Sequence, residues 1–149
     1  MARFIVIDTN IIVSALIGAQ NGASRKVLHA CLNGEFKPLM GAALYHEYLD
    51  LISRPEILKR CPLSSYEIEE LLDAFFSTCK WKDIFYLWRP NLKDEADNQV
   101  LELAIAGGSD TIVTHNHKDF ASAELWFPHI HILSPTQIIR KVHDGSDDS

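Results

Sequence analysis

The chain has 149 residues and a formal net charge of −6, with 14 Lys and Arg against 20 Asp and Glu. This length is typical of one domain, and no apolar run reaches the roughly 18 residues that a membrane span needs. The negative charge argues against a non-specific nucleic-acid coat, because such proteins bind phosphates through Lys and Arg. Cys31, Cys61 and Cys79 stand at wide, unrelated spacings, which favours neither a disulfide framework nor a zinc knuckle. Because the start also lacks a signal-peptide pattern, we expect a cytoplasmic protein.

Apolar runs alternate with segments of helical period, which predicts an α/β domain with a mainly parallel sheet. The predicted elements in chain order are a strand at 4–7, a helix at 24–32, a strand at 38–40, a helix at 42–52, a helix capped by Ser64 or Ser65, a strand at 84–87, a helix at 94–106, and then strands at 111–113 and 131–133 before a helix at 136–142. Gly107 and Gly108 suit the C-terminal cap of the helix at 94–106. The sequence thus predicts one domain with about five strands over residues 1–142 and a short, acidic, disordered tail at 143–149.

Two acidic residues follow predicted strands. Asp8 comes directly after Phe4-Ile5-Val6-Ile7, and Asp119 lies in the polar segment after Thr111-Ile112-Val113. Ligand sites of open α/β sheets lie just beyond the carboxyl ends of the strands, so both residues are candidates for a functional site. The alternatives are that Asp8 caps the following turn, helped by Thr9 and Asn10, and that Asp119 belongs to an ordinary polar loop.

Three further acids lie on predicted helices. Glu47 is at the edge of the apolar stripe of the helix at 42–52, where it either serves a site or reaches solvent and pairs with Arg54. Asp94 and Asp97 open the helix at 94–106. Capping and the helix dipole explain Asp94 better than Asp97, which falls one turn further in on the same face.

Taken in order, these segments resemble the PIN-domain nucleases, and are most similar to the VapC-like toxins of type II toxin–antitoxin pairs. The similarity runs from Arg3 to about Val142, and no single segment is diagnostic. The segments that carry it are Phe-Ile-Val-Ile-Asp8-Thr9-Asn10, the mid-chain Glu47, Asp94-Glu-Ala-Asp97-Asn98 with Leu-Glu-Leu-Ala, and Val-Thr114-His-Asn116-His-Lys-Asp119-Phe120.

The resemblance implies a three-layer α/β/α fold with strand order 3-2-1-4-5 and an acidic quartet of Asp8, Glu47, Asp97 and Asp119 that binds one or two Mg²⁺ or Mn²⁺ ions. It implies that supporting roles fall to Asp94, Thr9, Asn10, Thr114 and Asn116. Many members of the family carry an acid where this chain has Asn116, which bears on the number of metal ions. The implied activity is endoribonucleolytic cleavage of RNA, and the implied partners are a cognate antitoxin and a second copy of the chain.

Divalent cations held by carboxylates suit phosphodiester hydrolysis, because they polarise the phosphoryl oxygens and generate a nucleophilic water. Bound cations would also present positive charge to RNA within an acidic protein. Lys118, Arg89 and Lys93 lie near the predicted site in sequence and are candidate RNA contacts, although solvated surface charge explains each of them as well.

Other functions are compatible with parts of the pattern. The contiguous letters His115-Asn116-His117 do not match an HNH nuclease, whose residues are spread over a ββα unit, and His129 and His131 share a strand face without a third ligand. A phosphatase or phosphoryl-accepting domain of similar α/β fold remains an alternative, although Asn10 stands where a dehalogenase-like enzyme would have a second Asp. A catalytically silent PIN-like module that only binds RNA or protein is another.

Overall fold

The computed structural model describes residues 3–18, 22–83, 95–121 and 127–147. The elements in chain order are β1 (Arg3–Ile7), α1 (Thr9–Ile17), α2 (Ala23–Leu32), β2 (Phe36–Met40), α3 (Ala42–Ile52), α4 (Pro55–Arg60), α5 (Ser65–Thr78), β3 (Lys80–Trp81), α6 (Glu95–Gly107), β4 (Thr111–Val113), a 3₁₀ helix (His117–Phe120), β5 (His131–Leu133) and α7 (Pro135–Asp147). Within these ranges no helix is both long enough and apolar enough to cross a membrane.

The five strands form one parallel sheet in the order β3-β2-β1-β4-β5. Strand β1 is central: Ile5 pairs with Pro38 of β2, and Val6 pairs with Ile112 of β4. Ile5 and Val6 are completely buried, as expected for a parallel strand that is covered by helices on both faces. The predicted α/β/α fold and strand order are confirmed.

Several elements differ from the predicted ones. Helix α1 was not predicted, because its many β-branched residues favour strands and it follows β1 after a single residue. Helix α4 was not predicted either. The third strand is the two-residue β3, whereas the predicted strand at 84–87 lies outside the described residues. Helix α7 runs through Asp147, five residues beyond its predicted end and into the expected tail.

The topology determines which end of each helix lies near the carboxyl edge of the sheet, meaning the edge where the parallel strands end. A helix that connects two parallel strands runs antiparallel to them. Helix α6 leads into β4, so its first turn lies at the carboxyl edge and its end lies at the opposite edge. There Gly108 has φ 72°, and Ser109 N donates to Ala104 O at 2.8 Å, which is the predicted glycine cap.

Candidate active site

The side chain of Asp8 is directed toward β4. Asp8 occupies the N-cap position of α1, but its side chain makes no capping hydrogen bond. One of its oxygens, Oδ2, accepts hydrogen bonds from Thr114 Oγ1 at 2.8 Å and from Asn10 Nδ2 at 3.3 Å. Asp8 is only 6% exposed, and these donors replace part of the hydration that a buried carboxylate loses. A capping role therefore does not account for this side chain.

Thr114 connects the ends of β1 and β4. Its hydroxyl donates to Asp8 and accepts from the backbone N–H of Asn116 at 3.0 Å, while Asn10 Nδ2 lies 3.4 Å from the same oxygen. The backbone N–H of His115 donates to Asn10 Oδ1 at 3.4 Å. Asn10 and Thr114 thus contact the Asp8 carboxylate directly, whereas the described contact of Asn116 is through its backbone.

Thr9 places Glu47 close to Asp8. The Thr9 hydroxyl lies 3.5 Å from Asp8 Oδ1 and 3.4 Å from Glu47 Oε1. The two carboxylate oxygens are therefore within about 7 Å of each other, where two negative charges repel by about 2 kcal/mol or more at an effective dielectric constant near 20. The Thr9 hydroxyl has one proton, so it can donate to one of these carboxylates at a time.

Tyr48, the residue after Glu47, holds α3 against the end of β1. Its side chain is 1% exposed, and its hydroxyl donates to Ile7 O at 2.5 Å, one residue before Asp8. Burial, followed by the negative charges of Asp8 and other neighbours including Glu47, raises the pKa of Tyr48 well above its usual value. The phenol therefore stays protonated and remains a donor. The sequence offers one signal for Tyr48, which is a hydroxyl-bearing residue within the apolar stripe beside Glu47.

Asp97 and Asp119 lie at the same edge of the sheet through the placement of their elements. Asp97 is the third residue of α6, is 6% exposed, and belongs to a helix that packs against β1 and α3. Asp119 follows β4 in the 3₁₀ helix, where its side chain is exposed while the neighbouring Phe120 is fully buried. The elements that carry the four predicted acids therefore begin at or directly after the carboxyl edge of the sheet, and of the four side chains Asp8 and Glu47 are linked through Thr9.

The remaining predicted residues have mixed outcomes. Lys118 is exposed beside Asp119 in the 3₁₀ helix. Asp94, Arg89 and Lys93 lie outside the described residues. Within the described part of the chain, no three Asp, Glu, His or Cys side chains are grouped closely enough to hold a metal ion.

Comparisons with known proteins give a family and a fold. The sequence profile of a family described as "PIN domain" matches residues 4–118. A chain in the crystal structure of VapBC2 from Rickettsia felis, bound to a DNA fragment from their promoter, is similar with a TM-score of 0.56 and 18% identity. The match covers 88% of this chain and 98% of that chain. Comparison with curated proteins gave no match.

Proposed function

The chain belongs to the PIN-domain family, and on that premise we propose that it is a metal-dependent endoribonuclease that hydrolyses phosphodiester bonds of RNA. The observation that most supports this proposal is the buried Asp8 carboxylate, which is held by Thr114 and Asn10 and shares the Thr9 hydroxyl with Glu47. Two carboxylates kept this close repel each other, and a bound cation would convert that repulsion into binding energy.

Asp8 and Glu47, which are linked through Thr9, suit a hard divalent cation, because Mg²⁺ is typically held by one or two carboxylates together with water, and such carboxylates also accept hydrogen bonds from neighbouring side chains. Asp8, Glu47, Asp97 and Asp119 would hold one or two Mg²⁺ or Mn²⁺ ions, which when bound supply charge stabilisation on the phosphate and an activated water. Thr114 and Asn10 fix the orientation of Asp8, as their hydrogen bonds indicate.

Two features would help RNA to approach this acidic edge. The exposed Lys118 stands next to Asp119 and can meet a backbone phosphate. A bound cation would also offset part of the negative charge that these carboxylates contribute to the overall charge of −6.

We also propose that the chain is the toxin of a toxin–antitoxin pair and acts in the cytoplasm. Support comes from the similar fold of a chain in the VapBC2 complex. The antitoxin would lay a segment over the acidic edge and present Arg or Lys to the carboxylates in place of a cation, because Arg–carboxylate pairs are strong and often bidentate. A complex structure in which these acids touch no antitoxin residue would contradict this arrangement.

Cleavage of a 5′-labelled single-stranded RNA tests the enzymatic proposal. We expect cleavage with Mg²⁺ or Mn²⁺ and none with EDTA. In Asp8→Asn or Glu47→Gln the cleavage rate should fall at least about 100-fold, which is the effect of removing a group that stabilises a developing charge. Glu35→Gln is a matched control, because Glu35 is an exposed carboxylate in the turn before β2, at the opposite edge of the sheet. Cleavage in EDTA, or full activity of Asp8→Asn, would contradict the proposal.

A further inference from the structure

A cleft of about 250 Å³ opens at the carboxyl edge beside the acidic residues. It lies between α1, the start of α2, the residue after Thr114 and the start of α7. The polar residues that line it are Ser14, Ser24, Arg25, His115, Ser134 and Thr136. The cleft adjoins the end of β4 through His115 and the end of β5 through Ser134.

The cleft and the candidate active site share a wall. His115 lines the cleft and directly follows Thr114, whose hydroxyl donates to Asp8 Oδ2. The backbone N–H of His115 also donates to Asn10 Oδ1, and Asn10 Nδ2 in turn donates to Asp8. A ligand group in the cleft is therefore one residue away from the network that orients the Asp8 carboxylate.

The chemistry of the cleft differs from that of the acidic residues beside it. None of its described lining residues is acidic. Ser24 is 7% exposed, and its hydroxyl lies 3.2 Å from His115 Nε2, so one edge of the otherwise exposed imidazole is held in place. Arg25 donates from both Nε and Nη2 to Ala15 O, at 3.0 and 2.8 Å, which fixes the plane of its guanidinium group.

Fixed aromatic and guanidinium planes with nearby hydroxyls are the features that bind unpaired nucleotides. Single-stranded RNA is recognised through bases that stack on aromatic side chains, including His, or on Arg planes, and that hydrogen-bond along their edges. The volume of the cleft is below the roughly 300–1,000 Å³ of pockets for drug-sized ligands, which suits one nucleotide rather than a larger molecule.

We propose that this cleft binds the nucleotide next to the scissile phosphodiester of a single-stranded RNA, with its base stacked on the imidazole of His115. Ser24 is a positioning residue that holds the ring in the stacking orientation. This inference rests on the proposed ribonuclease function and adds a nucleotide-binding subsite to it.

The first measurement is binding of a fluorescein-labelled single-stranded RNA hexamer by anisotropy in EDTA, where metal-dependent cleavage stops. We expect the Kd to rise about tenfold in His115→Ala, the scale of a lost base–aromatic contact, and to stay within about threefold of wild type in His115→Phe. The Kd of Ser24→Ala should lie between those of His115→Ala and His115→Phe. His131→Ala is the matched control and should bind like wild type, because His131 is an exposed histidine at the start of β5, at the opposite edge of the sheet.

The second measurement compares the RNA hexamer with bis(p-nitrophenyl) phosphate, a diester that has no neighbouring nucleotide. In His115→Ala the ratio of kcat/KM for RNA to that for the small diester should fall about tenfold, mainly through a higher KM for RNA. Unchanged Kd and an unchanged ratio in this variant would overturn the inference while leaving the ribonuclease proposal standing. If wild type cleaves neither substrate, the ribonuclease proposal fails, and the Kd values alone decide whether the cleft binds RNA.

Discussion

Replacing Thr114 by valine removes one hydroxyl from the centre of the candidate site at almost constant side-chain volume. The Thr114 side chain is 1% exposed, and its hydroxyl donates to Asp8 Oδ2 at 2.8 Å and accepts from Asn116 N at 3.0 Å. The variant leaves the buried Asp8 carboxylate with Asn10 as its nearest remaining side-chain donor among these contacts. Because the substitution creates no large cavity, its effect reports on the hydrogen bonds.

The expected cost follows from these two contacts. A hydrogen bond to a charged group contributes about 1.5–3 kcal/mol, whereas Asn116 is exposed, so water can replace the acceptor of its N–H. We therefore expect Thr114→Val to lower the free energy of unfolding by about 2–3 kcal/mol, which for a domain of this size lowers Tm by about 4–12 °C. RNA cleavage should fall about 10- to 100-fold, as when an outer-shell partner of a metal ligand is removed.

Thermal melting and RNA cleavage at a temperature where all variants are folded check this prediction. Thr111→Val is the matched control: Thr111 is equally buried at the other end of β4, and its hydroxyl bonds the exposed Asp110 at 2.8 Å. Because water can replace the Thr111 hydroxyl at the exposed Asp110 carboxylate, we expect that control to lose at most about 1 kcal/mol and to cleave normally. We expect Thr114→Ser to keep most of the activity. A folded Thr114→Val that cleaves RNA at the wild-type rate would refute the assigned role.

Three other outcomes are expected. Asp97→Asn should abolish cleavage and shrink the Mg²⁺-induced rise in Tm while leaving the metal-free Tm unchanged or higher, because it relieves repulsion among carboxylates; a lower metal-free Tm with full cleavage would make Asp97 a structural cap. Burial raises the pKa of Cys79 to about 12 and those of Cys31 and Tyr48 above their usual values. As the pH rises, the unfolded chain therefore releases these protons at a lower pH than the folded chain does. The free energy of unfolding is at its full value below about pH 9 and falls at higher pH, by up to about 1.4 kcal/mol per pH unit for each group. A Tm that stays constant from pH 8 to 10.5 would contradict this. The chain should form a homodimer through exposed apolar side chains such as Leu49 and Tyr66, and light scattering that gives a monomer at high concentration would contradict that.

The sequence was sufficient to predict a parallel sheet, four of its five strands and its carboxyl edge. Strand β1 is apolar from Phe4 to Ile7 and is followed directly by Asp8, a pattern that is hard to explain other than by a buried parallel strand. The resemblance supplied the order of the strands, which the structure confirms. Helix α1 and strand β3 were missed because α1 is rich in β-branched residues and β3 has two exposed residues, so neither has a periodic signal.

The contacts within the site could not be predicted in the same way. The sequence places Asp8 after a strand but does not show whether its carboxylate caps α1 or turns toward β4, since both need only short polar neighbours. The distinction depends on Thr114, which is 106 residues away in the chain. The link between Ser24 of α2 and His115 after β4 likewise joins segments that are 91 residues apart in the chain.

The central place of β1 also has a consequence for how the chain acquires its activity during synthesis. Chains emerge from the ribosome amino end first, so β1 is made early, but its partner β4 begins only at Thr111. Contacts between such distant segments form late in folding, and until then one apolar edge of β1 is open to pairing with other chains. A nascent or truncated chain that lacks β4 carries Asp8 without the hydroxyl that orients it. The proposed nuclease is therefore inactive, and prone to aggregate, until β4 and Thr114 have been added.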